Sequence, residues 1–114
     1  MVQTVPSGYG GGIALDPAGS YLYAAGSNSI LTYEISPTSG MLKLAKSSPT
    51  AKLAGAYIIA VSPTGTFAYT IENNNYLVSY LITDGAFVPV GTIHSGVYGL
   101  QIAVDPSGSF VYVP

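Results

Sequence analysis

The segment Ile102–Tyr112 reads IAVDPSGSFVY, and the same pattern occurs twice earlier in the chain. The earlier copies are IALDPAGSYLY at Ile13–Tyr23 and IAVSPTGTFAY at Ile59–Tyr69, so successive copies begin 46 and 43 residues apart. Self-similarity with a period of this length is the signature of a repeat architecture. The chain is therefore predicted to consist of successive copies of one structural unit.

Each copy joins an apolar run to an alternating aromatic run through a turn of the form Asp/Ser-Pro-x-Gly. In such a turn the proline fixes φ at about −65°, and the glycine accepts positive φ. The first turn residue is Asp16, Ser62 or Asp105, and its side chain can accept hydrogen bonds from the turn amides. Recurrence at one turn position predicts structural capping by these three residues and a strand–turn–strand unit around each of them.

Two further apolar segments follow the first two copies. They read LTYEIS and MLKLAKS at Leu31–Ser36 and Met41–Ser47, and LVSYLI and FVPVGTI at Leu77–Ile82 and Phe87–Ile93. Alternation with period two and aromatic enrichment indicate strands, and no window of twelve residues shows a helical period. Four-stranded units of about 45 residues are typical of β-propeller blades. A β-sandwich also has many short strands, but nothing in it requires a repeated turn chemistry.

We therefore predict an all-β chain of about two and a half four-stranded antiparallel blades, forming an incomplete ring. In this single partial propeller domain, spanning 1–114, residues 1–5 would be the outer strand of a preceding blade. Residues 12–47 and 56–94 would form two blades, and residues 99–113 half a blade. Open strand edges are templates for pairing. We expect either homo-oligomers or the remaining blades of a longer chain to meet these edges.

Composition narrows the function classes. Charged residues make up 7% of the chain, the net charge is −2, and there is neither arginine nor cysteine. Such a chain lacks the basic field that nucleic acids require, and it offers no thiolate for metal binding or disulfides. One histidine and scattered carboxylates predict no metal site, and no cofactor is expected. We find no signal peptide and no membrane span, so we expect a soluble chain, while its compartment is not indicated.

The repeats GIALDPAGSYLYAA, IIAVSPTGTFAYTI and QIAVDPSGSFVYVP resemble those of the YVTN and lactonase-like (6-phosphogluconolactonase-type) propeller families. The segment YEISPTSGML at Tyr33–Leu42 resembles a hairpin of the same families. The resemblance implies a seven-bladed ring whose ligands bind near the central channel, beside the loops that follow the second and fourth strands of each blade. It is poorly specific for activity, because similar repeats occur in enzymes and in scaffold or adhesion proteins.

Glu72 and His94 are the candidate catalytic residues, since both fall in loops on this ligand-bearing face. One interpretation is a proton-transfer or polar-binding site. The other, which we favour, is that Glu72 is a solvated loop residue and His94 an ordinary loop residue, because one histidine and one glutamate match such a site too easily. Candidate ligand-binding residues on the same face are Asn73, Asn75, Tyr57 and Tyr98. Most tyrosines are expected to pack between blades instead.

Three functions remain open. The first, which we favour, is a scaffold or interaction module without chemistry of its own. The second is part of a lactonase-type hydrolase, whose cationic substrate-binding groups would have to come from other blades because this chain has no arginine. The third is a carbohydrate-binding propeller in which tyrosines stack on sugars. Whether the chain is an enzyme is left open, with a non-catalytic role preferred.

Overall fold

The chain was analysed as a computed structural model that describes residues 12–25, 29–50, 56–72, 76–94 and 102–112. Within these ranges all regular structure is β-strand. The first sheet contains β1 (Ile13–Leu15), β2 (Tyr21–Ala25), β3 (Ser29–Ile35) and β4 (Leu42–Pro49). The second contains β5 (Ala56–Val61), β6 (Phe67–Glu72), β7 (Tyr76–Thr83) and β8 (Ala86–His94). A two-stranded sheet contains β9 (Ala103–Val104) and β10 (Val111–Tyr112).

Every pairing in these sheets is antiparallel, and both four-stranded sheets follow chain order, β1-β2-β3-β4 and β5-β6-β7-β8. Such an up-and-down order is the arrangement of a propeller blade. The all-β prediction with two four-stranded units and the start of a third is confirmed. The predicted outer strand at residues 1–5 lies outside the described residues. The described part contains no helix long and apolar enough to cross a membrane.

The repeated turns have the predicted chemistry. The Oδ1 atom of Asp16 accepts hydrogen bonds from the amides of Ser20 and Tyr21, at 2.7 and 2.9 Å. The matching amide of the second turn donates to the Ser62 hydroxyl at 3.1 Å, and that of the third donates to Asp105 at 2.9 Å. Structural capping by the first turn residue is therefore confirmed, because it satisfies amides that the ladder leaves unpaired.

Each unit is placed against the preceding unit through the same contact between their turns. A Cβ atom added at Gly65 would lie 3.2 Å from the Cδ of Pro17 in the preceding turn, and one added at Gly108 would lie 3.6 Å from the Cδ of Pro63. The turn glycine of each unit thus meets the turn proline of the unit before it. This repeated contact shows radial succession of units, which two facing sheets of a sandwich would not produce.

The main core lies between the first and second sheets. Its fully enclosed apolar side chains are Tyr23, Ala25, Ile30, Ile59, Ala68, Val78, Tyr80 and Phe87. Two buried hydrogen bonds cross this layer: Thr32 Oγ1 donates to the carbonyl of Gly85 at 2.7 Å, and the amide of Phe87 donates to Ser48 Oγ at 3.0 Å. Since buried polar groups need partners, these bonds fix how one sheet sits on the other.

The outer strand pairs of both four-stranded sheets contain a register shift. It lies between Thr32 and Tyr33 in the first sheet and between Ser79 and Tyr80 in the second. Tyr33 and Tyr80 are therefore equivalent, and both are buried. An alignment that matches Leu31 with Leu77 is one residue out of register. The paired residues Ala25 and Ile30 of the first unit correspond to Ile71 and Leu77 of the second, which are one residue further apart in sequence.

Candidate functional site

Of the four predicted ligand-binding residues, only Tyr57 has a described backbone. Asn73, Asn75 and Tyr98 lie outside the described residues. Tyr57 lies on β5, but its side chain is outside the described part as well. The ligand-binding role of these four residues stays a prediction.

The two candidate catalytic residues lie at strand ends, whereas both were expected in loops. Glu72 is the last residue of β6 and pairs with Tyr76, which in turn pairs with His94, the last residue of β8. One row across the sheet therefore carries both residues, with one strand between them. Adjacent strands are about 4.8 Å apart, so the two backbones are roughly 10 Å apart. The side chain of His94 lies outside the described part.

Glu72 is fully enclosed, with 0% of its surface exposed. Its Oε2 atom accepts a hydrogen bond from Thr70 Oγ1 at 2.5 Å and another from the Tyr80 hydroxyl. The interpretation of Glu72 as a solvated loop residue is therefore wrong. The physical reason is that β6 continues through Glu72, and period two then places it on the face of Ala68 and Thr70, which packs toward the first sheet.

We call Thr70, Glu72 and Tyr80 the buried polar triad. Two hydroxyl donors compensate the carboxylate for the hydration that it loses on burial, and charge-assisted bonds of this kind are stronger than neutral ones. A substrate arriving from solvent does not reach an enclosed carboxylate. The geometry thus favours a packing role for Glu72 over proton transfer, for which the carboxylate would have to come within hydrogen-bond reach of a substrate.

The buried polar triad departs from the repeat. The matching positions of the first unit hold Ala24 where the second holds Thr70, and Gly26 where the second holds Glu72. The matching residue of Tyr80 is Tyr33. Comparison of the repeats could therefore have identified this cluster from the sequence, since a carboxylate and a hydroxyl replace two small residues in a buried layer. Departures from an otherwise consistent local pattern are expected at sites with a special role.

An aromatic group adjoins the triad within the same layer. Tyr23 and Phe87 meet edge to face with ring centroids 4.9 Å apart, and Tyr80 lies 5.7 Å from Phe87. Burial of the Tyr23 phenol, with a smaller contribution from the charges of Asp16 and Tyr21, raises its pKa to about 12. Because burial disfavours the charged form, the hydroxyl stays protonated across the physiological range. Packing of tyrosines between blades is confirmed for Tyr23 and Tyr80.

An open groove of about 440 Å³ lies on the first sheet, at the end away from the connection between β2 and β3. This groove was not predicted from the sequence. It lies between the turn that follows β1 and the connection between β3 and β4, two segments whose residue types indicate turn geometry and not a ligand. Its lining residues are Ser20, Tyr21, Glu34, Ile35, Ser36, Pro37, Met41, Leu42 and Lys43.

Metal binding finds no support among the described residues. Within those ranges, no three side chains of histidine, cysteine, aspartate or glutamate come together in a group that could hold an ion. Among the described carboxylates, Asp16 and Asp105 serve instead as turn caps, and Glu72 belongs to the buried polar triad.

No protein-family model matches the chain, and no curated protein matches it either. The similarity to YVTN repeats therefore remains a resemblance of motifs. Solved structures do match the fold. A provisionally named 6-phosphogluconolactonase from Bacteroides uniformis superposes with a TM-score of 0.78 and 21% identity over 90% of this chain. Another from Bacteroides fragilis has a TM-score of 0.78 and 17% identity over 89% of this chain.

A third solved structure, hydrazine synthase from Kuenenia stuttgartiensis, matches 90% of this chain with a TM-score of 0.71 and 18% identity. Identities in this range show the fold alone. The chain covers 32%, 30% and 28% of the three matched chains, about a third of their length. These likenesses confirm a lactonase-like β-propeller fold that is present here in part. Because the matched proteins carry different names, the fold alone assigns no activity.

Proposed function

We propose that this chain is a β-propeller scaffold that works by stacking its blades against further blades and carries no chemistry of its own. The further blades come from the rest of a longer chain or from other copies. The observation that carries this proposal is that the last tyrosine of the repeat is buried in the first unit, where a following sheet covers it, and exposed in the third, where the described residues contain no following sheet. Tyr23, covered by the second sheet, is 1% exposed, whereas Tyr112, its match in the third unit, is 59% exposed.

Other large apolar side chains repeat this contrast. Phe110, which matches the partly buried Tyr21, is 61% exposed, and Ile93 on the second sheet is 64% exposed. Burying one such side chain contributes about 1.5–3 kcal/mol, so covering several provides enough free energy for a specific association. Extended apolar faces of this kind mark interaction surfaces.

The second support is the state of Glu72, the strongest catalytic candidate. Its carboxylate is enclosed and hydrogen-bonded to Thr70 and Tyr80, so it contributes to the layer between two blades. An enclosed, hydrogen-bonded carboxylate is consistent with a scaffold role, because its polar bonds are satisfied inside the protein and not by a substrate.

The test is the mass of the protein in solution, measured by size-exclusion chromatography with light scattering. We expect assemblies larger than one chain. Tyr112→Lys should shift the population toward monomer by placing a charge on the exposed face. The matched control is Ala18→Lys, which adds the same charge at an exposed turn. A stable monomer of the unmodified chain, or equal masses for the two lysine variants, would contradict the proposal.

A lactonase-type hydrolase is the second candidate, and the likeness to two provisionally named 6-phosphogluconolactonases favours it. Such activity would belong to a whole ring, since this chain supplies no arginine to hold a phosphate or carboxylate. The assay is hydrolysis of 6-phosphogluconolactone by the assembled protein, with and without His94→Ala. Activity that disappears in this variant while the fold is retained would replace the scaffold proposal.

Carbohydrate binding is a weaker alternative, since no described side chain bears on it. It predicts binding on a glycan array that is lost in Tyr57→Ala or Tyr98→Ala. Binding that survives both substitutions would exclude these two tyrosines as the stacking platform.

A further inference from the structure

The hairpin between β7 and β8 has a two-residue turn in which both residues have positive φ. Thr83 pairs with Ala86, so Asp84 and Gly85 alone form the turn, with φ of 49° and 79°. Positive φ at both central residues is the type I′ geometry, for which Asp-Gly is a preferred sequence. Among the described residues, Asp84 is the only one besides glycines with positive φ, and it is exposed.

We propose that Asp84 is a site of spontaneous isoaspartate formation and that the hydrogen bond from Thr32 to Gly85 controls its rate. In the first step the Gly85 nitrogen attacks Cγ of Asp84, a C–N bond forms, a C–O bond breaks, and one water leaves with the amide proton. Water then adds to one of the two carbonyls of the resulting succinimide and opens one C–N bond. The product is aspartate or isoaspartate, with unchanged composition and water as the only co-reactant.

The sequence singles out Asp84 for this chemistry. The other two aspartates precede Pro17 and Pro106, and a proline nitrogen carries no hydrogen and cannot close the ring. Gly85 follows Asp84 and has no side chain to hinder the attack. The two Asp-Pro turns are therefore internal controls within the same protein.

The structure supplies the control of the rate. Attack requires rotation of the backbone at Asp84, and this rotation moves the Gly85 carbonyl, which Thr32 Oγ1 holds at 2.7 Å in a buried bond across the two sheets. The space around the turn is also limited, since a Cβ atom at Gly85 would lie 3.2 Å from Thr32 Cγ2 and 3.4 Å from the Tyr21 ring. Isoaspartate adds one carbon to the main chain, and the lengthened turn would no longer fit there.

The experiment incubates the folded protein near neutral pH and maps peptides over time. Isoaspartate is detected by enzymatic methyl transfer and by resistance to a protease that cleaves before aspartate. Isoaspartate formation leaves the mass unchanged, whereas deamidation of any of the three asparagines at positions 73–75 would raise it. We expect isoaspartate at Asp84 and none at Asp16 or Asp105. Its absence at Asp84 over a period in which the urea-unfolded chain converts would overturn the site.

Two variants test the control by Thr32. Thr32→Val keeps the shape and removes the hydrogen bond, so conversion at Asp84 should be about three to ten times faster. Thr32→Ser keeps the hydroxyl but loses the Cγ2 atom near Gly85, so it should convert more slowly than Thr32→Val. Asp84→Glu should stop the reaction. Equal rates in the valine and serine variants would overturn the proposed role of Thr32, and so would equal rates in Thr32→Val and the unmodified protein.

Discussion

Phe87 and Val88 are neighbours on the same strand, but their surroundings differ. Phe87 faces the first sheet and is 3% exposed, whereas Val88 faces away from it and is 48% exposed. Along β8, Ile93 lies on the same face as Val88, opposite to that of Phe87, and is exposed as well. Hydrophobicity alone therefore does not decide burial here. A side chain is enclosed where a following or preceding blade covers it.

The largest difference between the two faces should appear when one side chain on each is truncated. Phe87→Ala removes a ring that packs on Tyr23 and Tyr80, and it should lower the free energy of unfolding by about 3–5 kcal/mol. Phe87→Ala and Val88→Ala are compared in the Tyr112→Lys background, which we expect to favour the monomer. There, Val88→Ala should change the free energy of unfolding by less than about 0.5 kcal/mol. Urea unfolding followed by circular dichroism measures both. Similar losses for the two variants would contradict the exposure of Val88 in the single chain.

Alkaline pH should act on the covered layer. The pKa of Tyr23 is raised to about 12, while an unfolded chain ionises it near 10. The stabilisation is present below pH 10 and is lost as the pH rises toward 12, at about 2–3 kcal/mol in total. Tyr23→Phe should remove this part of the pH dependence, and Tyr112→Phe should leave it. An unchanged pH profile in Tyr23→Phe would contradict the burial of its hydroxyl.

Two equivalent turn glycines differ in their surroundings: Gly65 lies against the preceding turn, whereas Gly19 is open to solvent. Gly65 and Gly19 have the same φ of 76°, so a valine at either is strained, at about 1–3 kcal/mol. At Gly65 the new side chain also meets Pro17, whereas at Gly19 nothing lies within 4 Å. Gly65→Val should therefore lower the melting temperature more than Gly19→Val. The reverse order would contradict the contact between consecutive turns.

The smallest expected effect concerns the buried polar triad. Thr70 and Tyr80 both donate to the single atom Oε2 of Glu72, so the amide oxygen of Glu72→Gln can still accept both bonds, but without the charge that strengthens them. The expected loss is about 1–2 kcal/mol. Folding should be retained. Glu34→Gln, on the exposed side of β3, is the control and should lie within about 0.5 kcal/mol of the unmodified protein. Equal stabilities of the two variants would argue against the enclosed state of Glu72.

Local chemistry explains why the fold was predictable. In each repeat the turn proline, such as Pro17, fixes its own φ, and the turn glycine, such as Gly19, accepts a positive φ. Asp16 then caps the turn without help from distant residues. Alternation along β6 and β7 likewise follows from period two. The number and order of strands could therefore be derived from residues close together in sequence.

The candidate site was less predictable because burial depends on the neighbouring sheet. Glu72 precedes three asparagines, and this polar run suggested a loop. Its carboxylate instead bonds to Tyr80 on the next strand, on the face that packs toward the first sheet. The one-residue difference before β7 hid the match between Tyr33 and Tyr80 for a similar reason. The Asp84–Gly85 hairpin carried a clear local signal, a two-residue Asp-Gly turn between alternating strands.

The register shifts at Tyr33 and Tyr80 have a consequence for how such a chain avoids fibrils. They twist the outermost strands, and those strands also carry Lys43, Lys46, Pro49 and Pro89. Bulges, charges and prolines are the devices by which natural sheets stop unlimited strand addition at their rims. Such a molecule is poorly suited to lengthen its ladders outward, and its growth is directed around the propeller axis, one blade after another.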